Sequence, residues 1–139
     1  MFSLHEQLKA DTIEIRTLQL SRLVLMNDCS VPWFILVPEQ IGITEIHELD
    51  FDDRQVLIEE IALISSIVQE LYNPDKINVG MLGNIVPQLH IHVIGRFRDD
   101  RAWPGPIWGS GPSVPYSPEL LAATLEHLRQ RFRRRRDSD

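Results

Sequence analysis

Residues 88–94 read Q-L-H-I-H-V-I. Polar and apolar side chains alternate there at a period of two, the pattern of a half-buried β-strand. Gln88, His90 and His92 therefore project from one face, with Leu89, Ile91 and Val93 on the other. Same-face neighbours sit roughly 6.5–7 Å apart at the usual strand rise. Two imidazoles that titrate near neutral pH thus stand side by side.

Three chemistries are open to such a pair. A His-x-His strand can give two ligands to zinc or copper, but a closed or catalytic site needs a third from His, Cys or a carboxylate. The other histidines, His5, His47 and His127, share no local spacing with the pair. The pair can also serve only to satisfy hydrogen bonds on a polar sheet face. Thirdly, a neutral imidazole nitrogen is a nucleophile near pH 7, where an unperturbed serine or lysine is not. Attack on phosphorus gives a phosphoramidate that water hydrolyses in a second step. The other ring nitrogen must then be held, by a backbone carbonyl or a carboxylate, so that the reactive tautomer faces the substrate. A second imidazole or a glutamine alongside can hold phosphate oxygens or protonate the departing group.

The surrounding elements must position these side chains. Residues 3–10 predict a short helix with Ser3 as cap and Glu6 in the capping-box position. Runs 12–18 and 20–26 are β-rich and joined tightly, which predicts a hairpin. Residues 33–37 (W-F-I-L-V) form a strand apolar on both faces, fenced by Pro32 and Pro38. Residues 51–72 predict the longest helix, with Leu57, Ile61, Ile64, Val68 and Leu71 as its stripe, Asp50 or Asp52 as cap and Asn73-Pro74 as stop. Strands follow at 76–82 and 88–96. Residues 97–116 hold Trp103 and Trp108 among four prolines and three glycines, an ordered loop. Ser117-Pro118 opens a last helix striped by Leu121, Leu125, Leu128 and Phe132. This order predicts an α+β domain: a mostly antiparallel five-stranded sheet with two main helices on one face. The Gln88/His90/His92 face is expected to be the open one.

The 139 residues suit a single domain, 1–139, with 43% hydrophobic and 24% charged residues. The N-terminal residues do not read as a signal peptide, and no apolar run approaches the ~20 residues of a membrane span. One cysteine, Cys29, leaves no internal disulfide and no thiolate metal cage. A cytoplasmic protein with no membrane attachment is expected. The net charge of −6 hides an arginine-rich tail at 129–139, with six arginines between 129 and 136. Such a run reads first as complementing a helix dipole and solubilising the tail. A nucleic-acid partner is not the expected reading.

V-P-Q-L-H-I-H-V-I-G-R (86–96) resembles the signature of the histidine triad (HIT) superfamily, in which three histidines alternate with apolar residues. L-V-L-M-N-D-C-S-V-P-W-F-I-L-V-P (23–38) resembles the strands of that family's nucleotide pocket. Gly83-Asn84-Ile85-Val86-Pro87 sits where members often have G-Q-S-V. R-F-R-D-D-R-A-W-P-G-P-I-W-G (96–109) resembles a bacterial branch, akin to diadenosine polyphosphate hydrolases, with glutamine at the first triad position. The resemblance implies a HIT-like fold and a nucleotide hydrolase or transferase. Its substrates would be nucleoside phosphoramidates, dinucleoside polyphosphates or related conjugates, cleaved through a covalent nucleotidyl-histidine with no cofactor required. It implies His90 as nucleophile, His92 as phosphate contact and aid to leaving-group protonation, Gln88 in place of the first histidine, Asn27 at the ribose and Asn84 near the phosphate. Phe34 falls where many members have a supporting histidine, and Ile85 where some have a leaving-group serine. The implied assembly is a homodimer, with Trp103 and Trp108 as candidate contacts. Two alternatives stay open: a nucleotide-binding module with little or no turnover, and a metal-binding protein using His90 and His92.

Overall fold

The structure is a computed structural model describing residues 1–138, with side chains described through Arg134. The rest of the arginine-rich tail lies outside the described side chains. Five strands, β1 (Thr12–Thr17), β2 (Ser21–Met26), β3 (Trp33–Pro38), β4 (Lys76–Gly80) and β5 (Ile91–Arg96), form one sheet in the order β1-β2-β3-β5-β4. All four neighbouring pairs are antiparallel. Around it lie α1 (Glu6–Asp11), α2 (Phe51–Tyr72) and α3 (Pro118–Ser138). The expected α+β architecture is the one observed. No described helix is long and apolar enough to cross a membrane.

One face of the sheet carries Leu23, Leu25, Phe34, Leu36, Ile91 and Val93, which pack with Leu57, Ile64 and Val68 of α2 and Leu128 and Phe132 of α3. Each such side chain contributes about 1.5–3 kcal/mol by leaving water. Helix α2 has the bounds its periodicity predicts. Asp50 Oδ1 accepts from Asp53 N at 2.8 Å at its start, and left-handed Asn73 ends it.

The second face is not open, contrary to expectation. Val24, Trp33, Ile35, Val37 and Ile94 are covered there by Leu4 and Leu8 of the N-terminal region and by Val86 and Ile107 from loops. All six residues of β3 are buried, so a strand apolar on both faces has found a layer on each. His90 and His92 lie within this covered face, only 7% and 5% exposed.

Three boundaries differ from expectation. Helix α1 starts at Glu6 with His5, not Ser3, as its cap; His5 Nδ1 accepts from Gln7 N at 3.0 Å. Strand β4 ends at Gly80, paired with His92, and β5 begins only at Ile91. Residues 81–90 leave the ladder as a loop because Pro87 has no N–H to give, while Leu89 N bonds instead to Ile43 O.

Candidate active site

The end of loop 81–90 and the start of β5 bring His90 and His92 together, with ring centroids 5.0 Å apart. His90 Nδ1 lies 2.7 Å from the backbone oxygen of Gln88. A carbonyl only accepts, so Nδ1 carries the proton and the neutral ring keeps its lone pair on Nε2. His92 is fixed in the opposite sense. Trp33 Nε1 lies 2.9 Å from His92 Nδ1, and an indole N–H only donates. The neutral His92 ring therefore carries its proton on Nε2. Burial, and then the neighbouring His90, hold His92 down to about 3, so it stays uncharged near neutral pH.

Trp108 completes the surround of His92. Its ring meets the imidazole edge-on, with centroids 5.2 Å apart. It reaches that place over Gly80, where an added Cβ would stand 2.8 Å from the indole Cη2. The loop that carries it is pinned by buried charge. Arg96 forks onto both oxygens of Asp100 (2.8 and 3.0 Å) and reaches Asn78 and Gly105, while Asp100 also accepts from the backbone of Phe97, Ala102 and Trp103. The Arg96 guanidinium holds the Asp100 carboxyl well below the usual range. Nearby, Arg101 pairs with fully buried Asp28 at 3.0 Å. Burial pushes Asp28 up, but the bonds from Arg101, Ser30 and Val114 N prevail and hold it below its usual value.

Gln88 stands beside His90, but its amide is directed at the N-terminal segment. Oε1 accepts from His5 N at 2.8 Å, and Nε2 donates to Ser3 O at 2.9 Å. Position 34 proves to be the wrong place to seek support for the histidines. Phe34 faces α2, and the adjacent Trp33 makes the bond to His92. Period-two counting from His92 through its β3 partner Ile35 reaches Trp33 and never Phe34, which is the signal that could have found it. The Arg96–Asp100 pair is likewise visible in the sequence as opposite charges four residues apart.

Asn27 follows the end of β2, and Asn84 lies in loop 81–90. Strand β2 runs parallel to β5, with Val24 level with His92 across β3. Asn27 is thus three residues further along than His92 and two strands across, roughly 14 Å by strand dimensions. Its Oδ1 accepts from Tyr116 N at 2.9 Å, and it lines a separate cleft of about 240 Å³ with Ala10, Asp11, Met26 and Ser113. Asn84 is exposed in loop 81–90, as is Ile85. A smaller cleft of about 40 Å³ opens at His90 between Thr44, Glu45, Met81, Leu82 and Pro87. A cavity of about 380 Å³ lies between the β1–β2 turn and α2 and contains neither histidine.

For a metal, the pair offers only its two Nε2 atoms, since each Nδ1 is engaged. Among the described residues no three His, Cys, Asp or Glu side chains come together. Trp103 and Trp108, the candidate dimer contacts, are half-buried, Trp103 with the Arg96 guanidinium 5.9 Å from its ring and Trp108 against His92.

Comparison with known proteins agrees with this geometry. The family model described as HIT domain matches residues 7–99. A histidine triad protein from Marinobacter aquaeolei is 48% identical, superposes with a TM-score of 0.90, and is matched over 92% of this chain and 93% of its own. A second, from Sinorhizobium meliloti, is 42% identical with a TM-score of 0.90, over 93% and 96% of the two chains. A third, from Bradyrhizobium japonicum, is 39% identical at the same TM-score and coverage. No curated protein matches the chain.

Proposed function

The chain belongs to the histidine triad (HIT) family, and we propose that it is a nucleotide hydrolase acting through a covalent bond to His90. The observation that carries this reading is the complementary protonation of the two rings. His90 presents a lone pair on Nε2, and His92 presents an N–H. One can attack phosphorus while the other hydrogen-bonds a phosphate oxygen.

In the first step His90 Nε2 forms a bond to the α-phosphorus. The bond to the leaving group breaks and its electron pair departs with that group. The ring becomes an N-phosphorylated imidazolium whose Nδ1–H remains on the Gln88 carbonyl. In the second step water attacks phosphorus, its proton passes to solvent, and His90 leaves as neutral imidazole.

No proton donor of ordinary strength serves the leaving group in this scheme. His92, held near 3, is a neutral hydrogen-bond donor at pH 7. The Gln88 amide cannot relay a proton. Leaving groups that depart as stable anions therefore suit the site best, as from the anhydride of a dinucleoside polyphosphate. Alkyl phosphoramidates, whose amine must be protonated, suit it less.

The small cleft at His90 favours a second reading. About 40 Å³ is well below the ~300 Å³ of an ordinary ligand pocket, so this cleft by itself does not enclose a nucleotide. On that second reading the protein is a nucleotide-binding module with little or no turnover. Assay of dinucleoside polyphosphates and nucleoside phosphoramidates with product detection separates the two. The proposal expects turnover, faster on the anhydrides, that falls by several orders of magnitude in His90→Ala. Nucleotide binding without product would establish the second reading.

A further inference from the structure

We propose that Gln88 is a positioning residue that couples the N-terminal segment to the tautomer of His90. The catalytic meaning of this coupling rests on the reading of His90 as nucleophile, but the coupling itself exists without substrate.

A glutamine side chain has an acceptor at one end of its amide and donors at the other. In Gln88 both ends are committed to one short piece of backbone 83 and 85 residues away: Oε1 to His5 N and Nε2 to Ser3 O. That piece has a fixed seat. Leu4, between the two contact residues, is buried in the cluster that also holds Trp33, Val86 and Ile107, and Leu8 follows it there from α1. The N-terminal segment is therefore a frame for Gln88.

Gln88 needs such a frame because the sheet does not supply one. Strand β5 begins at Ile91, three residues later, so no ladder bond orients the Gln88 peptide. On the far side Leu89 N is tied to Ile43 O. The Gln88 carbonyl shares one planar peptide unit with Leu89 N–H, so Ile43 O holds it from one side while the Gln88 side chain holds the residue from the other, and that carbonyl receives His90 Nδ1 at 2.7 Å. The seat of Leu4, the backbone of Ser3 and His5, the Gln88 amide, the Gln88 carbonyl and His90 Nδ1 thus form one unbroken series of contacts. Loosening any earlier member leaves the carbonyl held only through Leu89 N and Ile43 O, so that it can shift from Nδ1 and the ring can hold its proton on Nε2, where it blocks the lone pair.

The test needs no substrate. In ¹⁵N-labelled protein the ring nitrogens of a neutral histidine have well-separated shifts, which report which one is protonated. Wild-type His90 should be in the Nδ1–H form. Gln88→Met keeps the volume and removes both bonds. Leu4→Ala unseats the segment and leaves Gln88 untouched. Each should move the His90 tautomer ratio about five-fold toward Nε2–H, the equivalent of about one net hydrogen bond. Gln88→Glu, which keeps the acceptor for His5 N, should move it less, and Leu4→Ile, which refills the seat, should restore it. His92, held by Trp33, should remain Nε2–H throughout and reports that the core is intact. A wild-type His90 pattern in Gln88→Met would overturn the proposal. A change in Gln88→Met with none in Leu4→Ala would overturn the part given to the N-terminal segment. Expected tautomer changes in a protein without turnover would leave the coupling standing and sink only the catalytic reading.

Discussion

The indole Nε1 of Trp33 donates to His92 Nδ1 across 2.9 Å, and this bond decides what the second histidine can do. Burial, and then the neighbouring His90, oppose the imidazolium, and the indole occupies the nitrogen that would otherwise take up a proton. His92 is left as a fixed, neutral N–H.

Removing the indole donor should make His92 easier to protonate. In Trp33→Phe the pKa should rise from about 3 but stay below the ordinary ~6.5, because the burial remains. An NMR titration of His92 in the two proteins measures this. No upward movement would show that the indole bond is not part of what holds the ring neutral.

If His92 hydrogen-bonds phosphate without giving up its proton, a glutamine should substitute for it passably. A glutamine amide can accept from Trp33 and still donate to phosphate. His92→Gln is expected to keep turnover within roughly ten-fold, and His92→Ala to lose roughly 10²–10³, the scale of a lost oxyanion donor. Equal losses in both variants, concentrated on substrates with poor leaving groups, would mark His92 as a general acid.

The same ring should shape stability against pH. Its folded pKa is about 3 and its unfolded one ~6.5, so between these values the unfolded chain binds more protons and stability rises with pH. At about 1.4 kcal/mol per unit the upper bound is on the order of 4–5 kcal/mol. Asp28 and Asp100, both lowered, act at more acid pH. Their contribution is present above about 4 and lost as pH falls through their folded values. Urea unfolding at pH 4, 5 and 7 should show stability climbing over the whole interval. In His92→Gln the climb above pH 5 should disappear and the acid limb remain.

Gly80 leaves room for Trp108, and Trp108 covers His92. Gly80→Ala should displace the indole, shift its fluorescence and open His92 to water, raising the His92 pKa. Unchanged fluorescence and an unchanged His92 titration would mean that the ring can slide aside at no cost to the site.

Much of the architecture was legible because its signals are local. The α2 stripe from Leu57 to Leu71 and the caps at Asp50 and Asn73-Pro74 needed no tertiary information. The alternation around His90 correctly placed both imidazoles on one face. What it could not give was that face's cover. The layer of Leu4, Leu8 and Ile107 comes from distant segments too short to carry a period of their own. The partners of Gln88 were hidden for a related reason. They are backbone groups of Ser3 and His5, and a backbone group has no sequence signature. The role of Trp33 is hidden because an apolar run does not show which member turns toward a polar neighbour.

The central claim is a covalent nucleotidyl group on His90, and trapping that intermediate tests it most directly. Protein mixed with excess dinucleoside polyphosphate should be quenched within the first turnovers at alkaline pH and digested for peptide mass spectrometry. The account predicts one nucleoside monophosphate added to the peptide that contains His90, on Nε2 of that ring, absent from His90→Ala and chased away on further incubation. Product formed with no adduct at any time, or an adduct on His92 that persists in His90→Ala, would contradict it.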